Sequence, residues 1–229
     1  MNNNKIKEVL KKAWKLQPLK NPFRLLIIGR SNQGKTTILL NLLIKIKYYQ
    51  GYFDKIYAWC PAIEDDKMWR IIKLNKKRKF NKFEIDTFKK IVDIKKDEKR
   101  KRELQNKRVD KILFIIDDGG SQALKYENYQ NELDEMCLII RHLGWSMIIS
   151  TQQIASLSTP QRNNADGVIL FPNDNEYEWK TMQAHWGAGI DGGLIRAFKK
   201  LNNDKREFIW INRQKPKTTY QINFTGKFL

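Results

Sequence analysis

The sequence is poor in the residues that build metal cages and disulfide frameworks. Its 229 residues include two cysteines and two histidines. Cys60 and Cys137 stand far apart without a C-x-x-C, and His142 and His185 are isolated. A zinc site, a disulfide scaffold or any other metal cluster therefore lacks donors at the required spacing. Both cysteines lie among apolar neighbours, where a free thiol acts as a small hydrophobe, and a reducing, intracellular setting suits them. Long apolar runs are missing too. No stretch approaches the roughly 18–20 apolar residues of a membrane span. The opening MNNNKIKEVLKKAWKLQPLK is basic but has no apolar core of the kind a secretory signal needs. Acidic residues are scarce beside basic ones: 25 Asp+Glu against 44 Lys+Arg leave a net charge of +19. That imbalance points to a polyanionic partner, nucleic acid first and an anionic membrane surface second.

What is present describes a folded α/β protein. The apolar fraction is 41% and the aromatic fraction 11%, enough for a packed core rather than disorder. The length suits one domain, residues 1–229, and is too short for two. Short apolar runs alternate with helical patterns, the mark of a mostly parallel sheet flanked by helices. Strands are expected at residues 24–29, 55–60, 111–118, 146–151 and 167–171. Late strands at 208–212 and 220–224 read as antiparallel edge pieces. Helices are expected at 35–47, 129–143, 176–186 and 193–201. In the second of these, Leu133, Met136, Cys137, Ile140 and Leu143 fall on one face. Residues 1–22 form a basic amphipathic segment, with Ile6, Val9, Leu10 and Trp14 at helical spacing, and residues 202–229 hold the late strands and tail.

Residues 67–108 form a basic insertion. They carry 18 Lys+Arg against 6 Asp+Glu, a net of +12 of the chain's +19. Trp69, Ile71, Ile72 and Leu74 make its start partly structured. Its end, KKDEKRKRELQNKR, reads as a charged helix or a mobile segment. Such a run is either a solvated face or a grip on phosphate backbone, and the concentration of charge in one insertion favours the grip.

Chemistry gathers at three places. GRSNQGKT fits G-x-x-x-x-G-K-[ST] through Gly29, Gly34, Lys35 and Thr36, between an apolar strand and an amphipathic helix. The glycines let the backbone turn tightly and approach oxygens. The loop N–H groups form an anion nest, and the helix adds its positive end. Gly29, Arg30, Ser31, Asn32, Gln33, Gly34, Lys35, Thr36 and Thr37 are therefore the candidate ATP-binding residues. Lys35 reaches the β- and γ-phosphates and the Thr36 hydroxyl ligates Mg²⁺. ILFIIDD then ends an apolar strand with Asp117, positioned to hold Mg²⁺, and Asp118, positioned to orient an attacking water. Third, STQQ ends the next strand and puts Gln152 at the same sheet edge, where ligands bind in open α/β folds. Arg141 and Arg162 precede two of these strands. Either can be a helix-end cation or an arginine finger reaching a neighbouring subunit.

On GRSNQGKTT, ILFIIDD and RHLGWSMIISTQQ followed by PQRNNADGVILF, the chain resembles the FtsK–HerA superfamily of P-loop ATPases. Within it the chain is most similar to the genome-packaging ATPases of large DNA viruses and virophages. The resemblance covers residues 24–172 apart from the insertion. It implies an ASCE (RecA-like) P-loop NTPase core and hydrolysis of ATP with Mg²⁺. It also implies a homo-oligomeric ring, pentameric or hexameric, that moves double-stranded DNA into a preformed capsid. Capsid or internal-membrane proteins at a packaging vertex would be its partners, in the host cytoplasm at assembly sites or in the virion. By the family's pattern Lys35 and Thr36 bind phosphates and metal, Asp117 holds the metal, Asp118 is the catalytic carboxylate and Gln152 the sensor. Arg141 is the first choice for a trans-acting finger and Arg162 the second. Many relatives carry Glu where this chain has Asp118, which bears on turnover rate more than on mechanism. Two other readings stay open: a nucleoside or nucleotide kinase, and a non-enzymatic basic DNA-binding assembly protein with a structural P-loop.

Overall fold

Among the described residues, apolar runs form the central strands of one nine-stranded sheet. The computed structural model describes residues 18–45, 48–118, 127–202, 204–214, 216–224 and 227–228. The amphipathic helix expected around Ile6 to Trp14 lies outside them. In chain order the elements are β1 (Arg24–Ile28), α1 (Lys35–Ile44), β2 (Lys55–Trp59), α2 (Lys67–Ile71), β3 (Lys79–Phe80), α3 (Ile85–Leu104), β4 (Ile112–Asp117) and α4 (Glu127–His142). There follow β5 (Ser146–Thr151), α5 (Thr159–Asn163), β6 (Gly167–Leu170), α6 (Glu176–Trp186), α7 (Gly193–Lys199), β7 (Ile209–Asn212), β8 (Thr219–Ile222) and β9 (Lys227–Phe228).

The strands run in the order β3-β2-β4-β5-β1-β6-β7-β8-β9. From β3 to β6 every pairing is parallel, and from β6 to β9 every pairing is antiparallel. The two expected late strands thus extend the sheet beside β6, with β9 as a further edge piece. β1, β4, β5 and β6 are buried at every position because helices cover both faces. Alternate residues feed two cores. Leu25, Ile27, Leu113 and Ile115 pack under α1 and Trp69 of α2. Leu26, Ile28, Phe114 and Ile116 pack under α3, α4, α6 and α7. Register brings the strand ends level: Asp117 pairs with Ser150, and Ile28 pairs with both Thr151 and Leu170.

Residues 67–108, expected as a basic insertion, pack against the sheet. Its β3 pairs with β2, and Trp59 takes the Phe80 ring in a stack at 4.8 Å and meets Phe88 edge-on at 5.3 Å. Residues 95–104 of its charged end belong to the 20-residue helix α3, which stops at Leu104. Several of its cations are spent on the protein itself. Lys89 pairs with Glu132 at 2.9 Å, Lys95 with Glu98, and Arg102 with Asp110 at 3.0 Å. Lys99 Nζ donates to the Leu143 carbonyl at 2.8 Å. Lys90, Lys96, Arg100 and Lys101 occupy the exposed face.

Trp59 therefore joins sheet and insertion. Trp59→Ala should cost about 3–5 kcal/mol, the usual loss for a buried aromatic. Urea unfolding should show it as a lower midpoint with an unchanged slope.

Candidate functional site

The loop after β1 is shaped by contacts that only glycine permits. A Cβ on Gly29 would lie 2.7 Å from the Phe171 Cβ and from the Gln33 Oε1. Gly34 has φ +102°, in the left-handed region that L side chains rarely adopt, and it caps α1. Gln33 staples the loop. Its Oε1 accepts from Arg30 N at 2.6 Å and its Nε2 donates to the Pro172 carbonyl at 2.5 Å, across to the segment after β6. The Arg30 guanidinium turns the same way and pairs with Asp174 at 2.5 Å. Ser31, Asn32 and Thr37 are exposed.

Lys35 is buried, and its Nζ donates to the Arg30 carbonyl at 3.0 Å. Burial lowers its pKa, against the opposing pull of Asp118 and Asp117. Beside it Asp117 is 1% exposed. One of its oxygens accepts from Thr36 Oγ1 at 3.0 Å and the other from Ser150 Oγ at 2.5 Å. Burial nevertheless raises the Asp117 pKa, outweighing both hydrogen bonds. Gln152 Nε2 donates to Asp118 Oδ2 at 2.9 Å, and Asp118 itself sits at φ +51°. The amide thus aims the carboxylate rather than standing free.

The Thr36 hydroxyl and the Asp117 carboxylate offer hard oxygen donors within hydrogen-bond distance of each other, a donor set that suits Mg²⁺ sharing its shell with phosphate and water. The residues can therefore hold a metal-bound triphosphate and place a carboxylate beside it. Cys60, just past the end of β2, takes no part. Burial pushes its thiol up to about 12.

Arg141 and Arg162 lie apart from this cluster. Arg141 ends α4 at the opposite sheet edge, where it approaches Asp166 at 3.9 Å beside the start of β1. A five-residue strand separates the two edges by roughly 13 Å. Arg162 sits on α5, with Nε on the Ser158 carbonyl at 3.3 Å and one terminal nitrogen on Thr159 Oγ1 at 3.1 Å. Three contributors went unrecognised in the sequence. Ser150 was signalled by a polar residue inside the apolar run SMIIST. The segment 171–174 and Arg206 had no local signal, because folding alone brings them to the loop.

Residues 11–176 match the model of the Poxvirus A32 protein family. No curated protein sequence matches the chain at a significant level. Among solved structures, the genome packaging NTPase B204 from Sulfolobus turreted icosahedral virus 2 in complex with AMP is similar, with a TM-score of 0.65 at 15% identity over 88% of this chain and 98% of that one. The same NTPase with AMPPCP gives 0.63 at 16% identity over 88% and 98%. EssC (ATPases 2 and 3) from Geobacillus thermodenitrificans gives 0.52 at 14% identity over 70% of this chain and 34% of that one. These likenesses establish a shared P-loop ATPase fold.

A carboxyl whose pKa is raised on folding stabilises fully below its unfolded value, and that stability is lost as pH rises through the folded value. Ionised Asp117 is thus a cost at neutral pH. Asp117→Asn should therefore melt above the parent protein at pH 7.5, because the neutral amide carries no charge to desolvate. The advantage should shrink as pH falls into the carboxylate range, as scanning calorimetry without nucleotide can check.

Proposed function

We propose a function from one premise: the chain belongs to the Poxvirus A32 protein family. It is a viral packaging ATPase of the FtsK–HerA type, and it hydrolyses Mg-ATP to drive double-stranded DNA into a capsid. The observation that carries this reading is the paired arrangement at the ends of β4 and β5. One carboxylate, Asp117, is held by the loop's Thr36 at 3.0 Å, and the next, Asp118, is aimed by Gln152 at 2.9 Å. A site that merely stored a nucleotide would need the first pair and not the second.

The roles follow from chemistry. The loop amides and Lys35 take the phosphates, Lys35 exchanging the Arg30 carbonyl for phosphate oxygens. Thr36 and Asp117 would hold Mg²⁺, which when bound neutralises charge on the phosphates. Asp118 accepts a proton from the attacking water, and Gln152 keeps it in line. Arg141, remote from its own subunit's site and half-exposed, is the first candidate to complete a neighbour's site in a ring, with Arg162 the second. DNA meets the exposed cations of α3. No helix among the described residues is long and apolar enough to cross a membrane, and the expected place of action is viral assembly in the host cytoplasm or the virion.

Phosphate release measured with and without double-stranded DNA tests the reading. Lys35→Ala should abolish DNA-stimulated turnover, and undiminished hydrolysis there would defeat the proposal. Asp118→Asn should lower turnover by about 10²–10⁴-fold while still binding ATP. For the helix, changing Lys96, Arg100 and Lys101 together to Gln should weaken DNA binding and flatten its log–log salt slope by about 2–3. The pair Lys95→Gln and Lys99→Gln should instead lower stability with little effect on that slope.

A further inference from the structure

The sheet order gives the bound nucleotide a direction. The phosphate loop leaves β1, and the groups suited to hydrolysis all lie on one side of it, on β5 and β4. A triphosphate whose reacting end faces Asp117 and Asp118 must send its other end toward β6. There a cleft of about 600 Å³ opens against the loop, lined in part by Arg30, Gln33, Phe171, Trp179, Phe198 and Arg206. That volume is in the range of small-molecule sites.

Its walls are unlike the rest of the surface. Five of the six described tryptophans are buried, and Trp179 is the exception, partly buried on the cleft wall. Phe198 is half-buried and Ile195 is 37% exposed beside it, on the neighbouring helix α7. Partly exposed aromatic rings lining a cleft beside the loop are what a planar base can stack on.

Arg206 supplies the charge. A Cβ on Gly34 would lie 3.6 Å from the Arg206 Cδ, so this side chain passes directly over the loop. The residue is exposed, and among the described residues it has no hydrogen bond or ion pair. Its backbone is at φ +51°, a conformation that costs arginine energy and persists only where the surroundings impose it. The surroundings do so here. Asn202 N donates to Glu207 Oε2 at 2.9 Å, Lys205 N to Asn202 Oδ1 at 3.1 Å, and Glu207 N to the Asn202 carbonyl at 3.2 Å. Phe208 then packs on Phe171 at 5.5 Å, tying the turn to the loop. Arg30 is turned aside by Asp174, which leaves Arg206 as the uncommitted guanidinium over Gly34.

We infer that this cleft seats the nucleoside end of the nucleotide, with the base on Trp179 and Phe198, and that Arg206 closes over the α-phosphate from the same subunit. The inference rests on the nucleotide-site reading above. It makes the turn before β7 part of the binding site.

Tryptophan fluorescence of the full chain, titrated with ATP, ADP, AMP and inorganic tripolyphosphate, tests it. ATP, ADP and AMP should quench, and tripolyphosphate should compete with ATP without quenching. Trp179→Phe should remove the quench. Arg206→Ala should weaken all three nucleotides alike, about tenfold, the size of one charge-assisted hydrogen bond. The loss should show in KM more than in kcat, and Arg206→Lys should recover part of it. Unchanged nucleotide affinity in Arg206→Ala, a loss confined to kcat, or equal quenching by tripolyphosphate would each overturn the inference. If the parent protein bound neither ATP nor tripolyphosphate, the nucleotide-site reading would fail first. If it bound ATP in a Lys35-dependent way while the Arg206 and Trp179 variants behaved as the parent, this inference alone would fall.

Discussion

A carboxylate almost shut off from water, Asp117, ties the phosphate loop to the sheet. It touches the loop through Thr36 and the next strand through Ser150. Both contacts require β4, β5 and β1 to end level, which their pairing register provides. A slip of one residue would turn Asp117 to the other face and bury an apolar side chain in its place. The register is held by two cores, one on each face, fed by alternate residues of the same strands. The cost of burying the carboxylate and the Lys35 ammonium appears in their opposed pKa shifts. Both costs would fall were a metal and a phosphate to give each charge a partner, as the proposed function requires.

The surplus of basic residues serves two ends. Along α3 Lys89 and Arg102 hold the segment to its own domain through Glu132 and Asp110, and its Glu98 takes Lys55 of β2. Only the outward set is free for a polyanion. A net charge summed over the insertion therefore overstates what is available. The aromatic cluster around Trp59 explains why so charged a segment folds at all: Phe83, Ile85, Phe88 and Val92 are buried there, which anchors the helix that continues into solvent.

Much of the site was legible because its parts are local. The glycine spacing, Lys35, Thr36 and the Asp117–Asp118 pair sit in short runs whose strand and helix character is plain from periodicity. Gln152 was legible as a polar strand end. Its task as the partner of Asp118 was not, since that depends on two strands lying side by side. Ser150 hid inside an apolar strand. The β6 side of the loop was invisible, because Phe171, Trp179, Phe198 and Arg206 come from four segments with no shared motif.

By itself the sequence determined the chemistry: a phosphate loop between strand and helix, two carboxylates at a strand end, and a charge suited to a polyanion. Those follow from backbone geometry and side-chain type, which act over a few residues. Tertiary structure decided which cations are free and which are spent, where Arg141 stands relative to its own site, and which side of the loop is open. These depend on distances between residues far apart in the chain, and only the packing of sheet and helices sets such distances.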